Sequence, residues 1–197
     1  STTGGGNFEV NDPDLDQLST FNTNDAAVLE FDFIPTGDSI SFNYSFGSDE
    51  YNEYVCGSVN DAFGFFLSGP GINGAYSNNA INLAVIPNTS GTPVTINSVN
   101  NGNVGSAGSA NNCAQVDPNW MNNTAYYVDN ENNGDPNATQ LDGFTVVLVA
   151  EAAVQCGLTY HIKIAIADAG DTAWDSAVFI EGGSFSSNAF DITATAS

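Results

Sequence analysis

Apolar and polar residues alternate with a period of two along much of this chain, which is typical of β-strands that bury one face. In residues 39–46, Ile40, Phe42, Tyr44 and Phe46 alternate with serine and asparagine. Helical periodicity is nearly absent. The alternation predicts strands at residues 28–33, 39–46, 62–67, 81–86, 94–99, 144–150, 160–167, 177–180 and 190–195.

Clusters of Gly, Pro, Asn and Asp separate these segments. About nine strands of this kind predict an all-β fold, an antiparallel β-sandwich that is jelly-roll-like, with long Asn/Gly/Ser-rich loops. The longest of these loops is predicted at residues 97–114, whose composition buries little surface. We divide the chain into an acidic polar N-terminal arm, residues 1–25, a β-sandwich domain, residues 26–187, and a C-terminal strand or tail, residues 188–197.

The charge balance restricts the partners of the protein. The chain has 23 acidic residues against a single lysine or arginine, Lys163, and its formal net charge is -22. Because basic residues are needed to bind phosphates, we expect no contact with nucleic acid or anionic membranes. A field of this sign attracts divalent cations. The charge balance, which divalent cations outside cells would offset, leads us to predict an extracellular protein, secreted or on the cell surface. No apolar run reaches the ~20 residues of a membrane span.

The chain has three cysteines, Cys56, Cys113 and Cys156. With a single histidine to assist them, they are too few and too widely spaced for a zinc site. The simplest arrangement is one disulfide and one remaining thiol. Cys56 and Cys113 both lie in loop-like sequence, whereas Cys156 comes shortly before a strong strand, so we prefer the pair Cys56–Cys113. The pairing of Cys156 stays open.

Acidic residues concentrate at the ends of three predicted strands, in residues 48–54, 60–61 and 168–176. Loops at one rim of a sandwich can bring such residues together and supply the six to eight oxygens that calcium requires. The alternative is that they are solvated turn residues that cap backbone N–H groups. The candidate calcium ligands are Asp49, Glu50, Asp61, Asp168, Asp171 and Asp175.

Other polar groups give weaker signals. Asp12, Asp14 and Asp16 resemble the opening of a calcium loop, but the glycine and the closing glutamate are missing, which favours a solvated arm. Glu30 and Asp32 share a strand face, as paired carboxylates of glycosidases do, yet no third carboxylate follows them. His161 and Lys163 have no nucleophile motif beside them. We therefore expect no enzymatic activity.

Five segments carry a resemblance to a known family. They are FGSDEYNEYVC at 46–56, NDAFGFFLSGPG at 60–71, YYVDN at 126–130, LDGFT at 141–145 and CGLTYHIKIAIADAGD at 156–171. Together they resemble the choice-of-anchor L domain of secreted bacterial proteins, many of them from Bacteroidetes. The resemblance implies an exported or surface-anchored, non-catalytic domain that serves adhesion or extracellular structure.

Family members usually carry strand-forming sequence upstream of the point where this chain begins. A sandwich that lacks its first strand exposes an unpaired edge, which a strand from another copy can fill. The C-terminal tail alternates apolar and polar residues, so Phe190 and Ile192 are the candidates for strand donation in an extracellular filament. A further alternative is a carbohydrate-binding module or glycan-active enzyme, whose stacking platform would come from Trp120, Trp174 or the Tyr-rich loops. Surface glycans or proteins would then be the partners.

Overall fold

The computed structural model describes residues 11–19, 21–131 and 139–188. The helical segments are α1 (Pro13–Leu18), α2 (Ala110–Val116) and two 3-10 turns, Ser77–Asn79 and Trp120–Tyr126. The strands are β1 (Thr23–Phe33), β2 (Ser39–Ser48), β3 (Ala62–Ser68), β4 (Ile81–Asn82), β5 (Tyr127–Asp129), β6 (Gly143–Thr145), β7 (Leu148–Ala153), β8 (Tyr160–Ala169), β9 (Ser176–Ile180) and β10 (Ser186–Asn188).

Two antiparallel sheets form the fold. The first has the strand order β1-β8-β3-β4. In the second, the long strand β2 is central: β7 and β6 pair with it along one side, β10 and β9 along the other, and β5 extends the sheet beyond β6. The sheets do not close into a barrel, so the predicted all-β antiparallel sandwich is confirmed.

The core lies between the inward faces of β2, β3 and β8. Buried and partly buried residues alternate along most of β2, whereas all seven residues of β3 are buried because both of its faces are covered. Aromatic rings fill most of it: Phe46 stacks on Phe63 with ring centroids 4.9 Å apart, and Phe42 meets Phe65 edge to face at 4.8 Å. Offset and edge-to-face contacts of this kind stabilise a pair beyond the area that it buries. The core thus follows directly from the alternation in the sequence.

Helix α1 covers the outer face of the first sheet. Its N-cap is Asp12, whose side chain accepts hydrogen bonds from the backbone N–H groups of Asp14 and Leu15. Leu15 and Leu18 pack into a second cluster with Phe66 on β3 and with alanines of β3 and β8. The expectation of a solvated arm is therefore wrong for this segment, because the apolar side of α1 has a sheet to bury against.

Several local predictions are also corrected. Residues 94–99 are not a strand: Ser98 Oγ bonds to the N–H of Thr95 and the carbonyl of Pro93, which closes a turn. The predicted strand 144–150 is interrupted between β6 and β7, and only Ile81–Asn82 of the segment 81–86 forms a strand. The predicted strand 190–195, with Phe190 and Ile192, lies outside the described residues.

The stretch 97–114 is ordered and partly helical. Its end forms the start of α2, and a disulfide joins Cys113 in α2 to Cys56, the predicted pair. Asparagine side chains supply the remaining order: Asn97 and Asn112 both donate to the carbonyl of Gly57. Composition alone did not indicate this, because the hydrogen bonds depend on a distant partner. Cys156 is a free, exposed thiol.

Candidate metal site

One rim of the sandwich is built by two loops. The first, residues 49–61, joins β2 to β3, and the second, residues 170–175, joins β8 to β9. Backbone hydrogen bonds connect them: the N–H of Asp49 donates to the carbonyl of Asp175, and that of Asn60 to the carbonyl of Ala169, both at 3.1 Å. Gly170 permits the close approach, since a Cβ there would lie 2.4 Å from the carbonyl oxygen of Ser58. The loops therefore form a continuous surface.

Three acidic residues extend the inward faces of the core strands at this rim. Asp61 immediately precedes β3, and its place in the alternation is that of the buried Phe63 and Phe65. Asp168 continues the inward row of β8, one step beyond the cross-strand pair Ala62–Ala167. Glu50 follows the inward row of β2 past its last residue. The carboxyl groups consequently lie at the end of the aromatic core.

Glu50 is the most unusual of these residues. Its exposed fraction is 0%, and neither of its carboxylate oxygens has a hydrogen-bond partner among the described residues. Burial raises the pKa of Glu50 to about 9, with further contributions from the charges of Asp61, Asp171, Asp168 and Asp49. A buried polar group without a partner costs about 1–3 kcal/mol, so this carboxyl group calls for a physical explanation.

The neighbouring acids are held in place or half-exposed. Asp61 is fully buried; its Oδ1 accepts from the N–H of Ala169 at 3.1 Å and its Oδ2 from Ser176 Oγ at 2.6 Å. Burial raises its pKa well above the ordinary value. Asp168 is partly exposed, and burial, with the nearby Asp175, Asp25 and Asp171, raises its pKa to about 7. The rim thus concentrates carboxyl groups that are costly to ionise together.

A small cavity beside this rim is lined by a different set of residues. It has a volume of about 140 Å³ and is lined by Asp49, Glu53, Tyr54, Asp142 and Trp174. Asp49 Oδ1 is buried there without a partner in the described part of the chain. Burial raises the pKa of Asp142 to about 6. Glu53 and Asp142 were not among the predicted ligands. Their proximity depends on the short strand β6, which brings Asp142 beside β2 and gives almost no pattern in the sequence.

The six predicted ligands do not all come together. Glu50 and Asp61 are buried at the rim, and the partly exposed Asp168 and Asp171 lie near them, whereas Asp49 lines the adjoining cavity and Asp175 is exposed. Within residues 11–19, 21–131 and 139–188, no group of three or more His, Cys, Asp or Glu side chains is already arranged to hold a metal ion.

The other candidate groups have structural partners. Lys163 Nζ donates to Asp12 at 2.9 and 3.0 Å and also to Asp14, and it lies over the Phe66 ring. His161 Nδ1 is 2.8 Å from Asp32 Oδ1, and its Nε2 is 3.9 Å from Glu30. Both ring nitrogens therefore face carboxylates on β1, which is the arrangement of an exposed ion pair.

The aromatic residues considered for sugar stacking are not arranged as a platform. Trp120 is 4% exposed and belongs to the core. Trp174 neighbours Tyr54, but the two rings are 6.4 Å apart and tilted by 37°. A flat stacking surface would need coplanar, exposed rings, so the geometry gives little support to a carbohydrate-binding module.

In the described part of the chain, β1 forms one edge of the first sheet. β1 pairs with β8, and no other strand of the described residues pairs with it. Val28, Leu29 and Phe31 on this strand are 47%, 58% and 37% exposed. An edge of this length with apolar side chains is a site at which another strand can add.

An all-β sandwich with a disulfide and open edges defines a class of domain rather than a single activity. The family model described as the choice-of-anchor L domain matches residues 1–186, nearly the whole chain. The chain therefore belongs to the choice-of-anchor L domain family. Searches of curated proteins and of solved structures found no match.

Membership of this family indicates a cell-surface or extracellular domain, and the family is typically non-catalytic. Among the described residues, none of the helices has the length and apolar character of a membrane span.

Proposed function

We propose that this domain is a non-catalytic part of the cell exterior, and that it serves adhesion or extracellular structure through contacts made at the edge strand β1. The proposal rests on the exposed apolar side chains along β1. Leu29 and Phe31 point along the side of the sandwich where Phe185 also lies, with the rings of Phe31 and Phe185 6.0 Å apart. A bound strand would satisfy the backbone groups of β1 and cover these side chains.

Binding through β1 is tested by a charge placed on the edge. Beads coated with the domain are passed over a panel of extracellular proteins and glycans, and the retained beads are counted for the wild type, for Leu29→Lys and for Val147→Lys. Val147 is 66% exposed and lies between β6 and β7, away from β1. We expect Leu29→Lys to lose retention and Val147→Lys to keep it. Equal retention by all three proteins would contradict a role for β1.

A second candidate is an extracellular filament in which copies of the chain join by strand donation. The same open edge of β1 supports it, together with β10, which pairs with β2 at Ser186–Asn188 and leads into the tail. Phe190 and Ile192 of the tail alternate with polar residues, as a donated strand requires. Deleting residues 189–197 should then convert a self-associating protein into a monomer in sedimentation velocity. A wild type that stays monomeric at high concentration would exclude this candidate.

A further inference from the structure

The carboxyl group of Glu50 is enclosed at the rim described above. The side chain is fully buried, both of its oxygens lack a protein partner in the described part of the chain, and other carboxylates surround it. A buried carboxylate is ordinarily paired with a cation or given hydrogen-bond donors. The chain has no arginine or lysine to spare, since Lys163 is bound by Asp12 and Asp14 on the outer face of the sheet.

The side chain of Glu50 is closed off from bulk solvent, since its exposed fraction is 0%. Phe46, four residues earlier in the inward row of β2, stacks on Phe63 of β3. Asp61 is oriented by Ala169 N–H and Ser176 Oγ, and each of its oxygens keeps a lone pair for another partner. Acidic residues at the end of β2, at the start of β3 and on β8 thus lie near one another.

We propose that this rim binds a calcium ion through the carboxylates of Glu50, Asp61, Asp168 and Asp171. The ion would offset the mutual repulsion of these groups and give the oxygens of Glu50 a partner. It would also join loop 49–61 to loop 170–175, which meet here through few backbone hydrogen bonds. Asp49 and Asp175 border the site and strengthen its negative field.

The chemistry of the donors selects the ion. All four ligands supply oxygen, and no histidine or free cysteine lies among them, which disfavours zinc and copper. Magnesium demands a near-ideal octahedron, whereas calcium accepts six to eight oxygens in irregular geometry. The proposed coordination requires the side chains of Asp168 and Asp171 to rotate toward Glu50. Both residues are partly exposed, which leaves room for this rotation. A site of this irregular kind suits calcium.

Calcium titration of the metal-free protein tests the site by calorimetry and thermal unfolding. We expect one calcium ion per chain and, at a concentration one hundred times the dissociation constant, a rise in Tm of roughly 5 °C or more. Glu50→Gln keeps the shape of the side chain and should weaken calcium binding at least tenfold while the metal-free variant folds normally. Asp171→Asn, at a partly exposed loop position, should also weaken calcium binding.

The matched control is Glu151→Gln, the same chemical change at an exposed residue of β7 whose backbone pairs with Ser41 rather than with the rim. It should bind calcium as the wild type does. The absence of both binding heat and a Tm shift in the wild type at about 10 millimolar calcium, roughly ten times the weakest dissociation constant of extracellular calcium modules, would overturn the proposal. Wild-type affinity in both Glu50→Gln and Asp171→Asn, or equal loss in Glu151→Gln, would overturn it as well.

Discussion

The single lysine of the chain shows how one residue can determine the position of a helix. Lys163 is on the outer face of β8, and it holds the N-terminus of α1 through Asp12 and Asp14. Burial alone would lower the pKa of Lys163, but the hydrogen bonds to Asp14 and Asp12 outweigh it and raise the pKa. The sequence showed the lysine and the acids, whereas their pairing depends on the docking of a helix that lies more than one hundred residues away.

Removing this charge should destabilise the fold. Lys163→Met leaves two carboxylates without a cation, Asp12 and the fully buried Asp14, and breaking a buried pair in this way costs about 3 kcal/mol or more. Urea unfolding measures the loss. His161→Gln is the control on the same strand: it alters an exposed ion pair and should change stability by no more than about 0.5 kcal/mol. Equal effects of the two changes would contradict the assigned role of Lys163.

The same cluster predicts a pH dependence. Burial would raise the pKa of Asp14, but hydrogen bonds from Lys163 and Ser77 lower it below 3.8, so its contribution is present above that value and is lost as the pH falls through the folded-state pKa. The pKa of Lys163 is raised above 10.5, so its contribution is present below that value and is lost at higher pH. The contribution of the pair to the stability of the wild type should therefore be constant between these limits and be lost outside them. Loss of that contribution near neutral pH, in urea unfolding of the wild type, would contradict this.

At the scale of elements, the alternation in the sequence predicted the long strands β2 and β8 and the inward rows of the core. It was misleading at residues 94–99, because Val94, Ile96 and Val99 are all buried in a segment that turns. Burial, rather than extended backbone, produced the pattern there. Glu50, Asp61 and Asp168 could be expected at the end of the core, since they extend inward rows. Asp142 could not, because β6, the strand that follows it, is only three residues long.

The disulfide fixes the Asn-rich segment to the rim loop. Cys56 and Cys113 are 57 positions apart, and a loop of that length corresponds to about 4 kcal/mol of stabilisation in the chain-entropy model. The double change Cys56→Ala and Cys113→Ala should lower the free energy of unfolding by about that amount. Cys156→Ala removes the exposed free thiol and is the control, with no measurable change expected. A double variant as stable as the control would contradict the structural role of the bond.

At the scale of the whole molecule, the large negative net charge is consistent with a location outside the cell. The chain carries a net charge of -22, its only lysine is occupied inside the fold, and acidic side chains gather where two loops meet. Self-repulsion of this size opposes a compact state, and a bound cation relieves it. The calcium ion that we propose at the rim would have this effect in the cell-surface or extracellular environment that family membership indicates.

The proposed calcium ion at the rim is tested most directly by a crystal structure of the wild type grown in calcium chloride. The result we predict is an anomalous-scattering peak enclosed by loops 49–61 and 170–175, with oxygens of Glu50, Asp61, Asp168 and Asp171 at about 2.3–2.6 Å. A Glu50 carboxyl group that remains without a cation beside it, in crystals that contain calcium, would contradict the account.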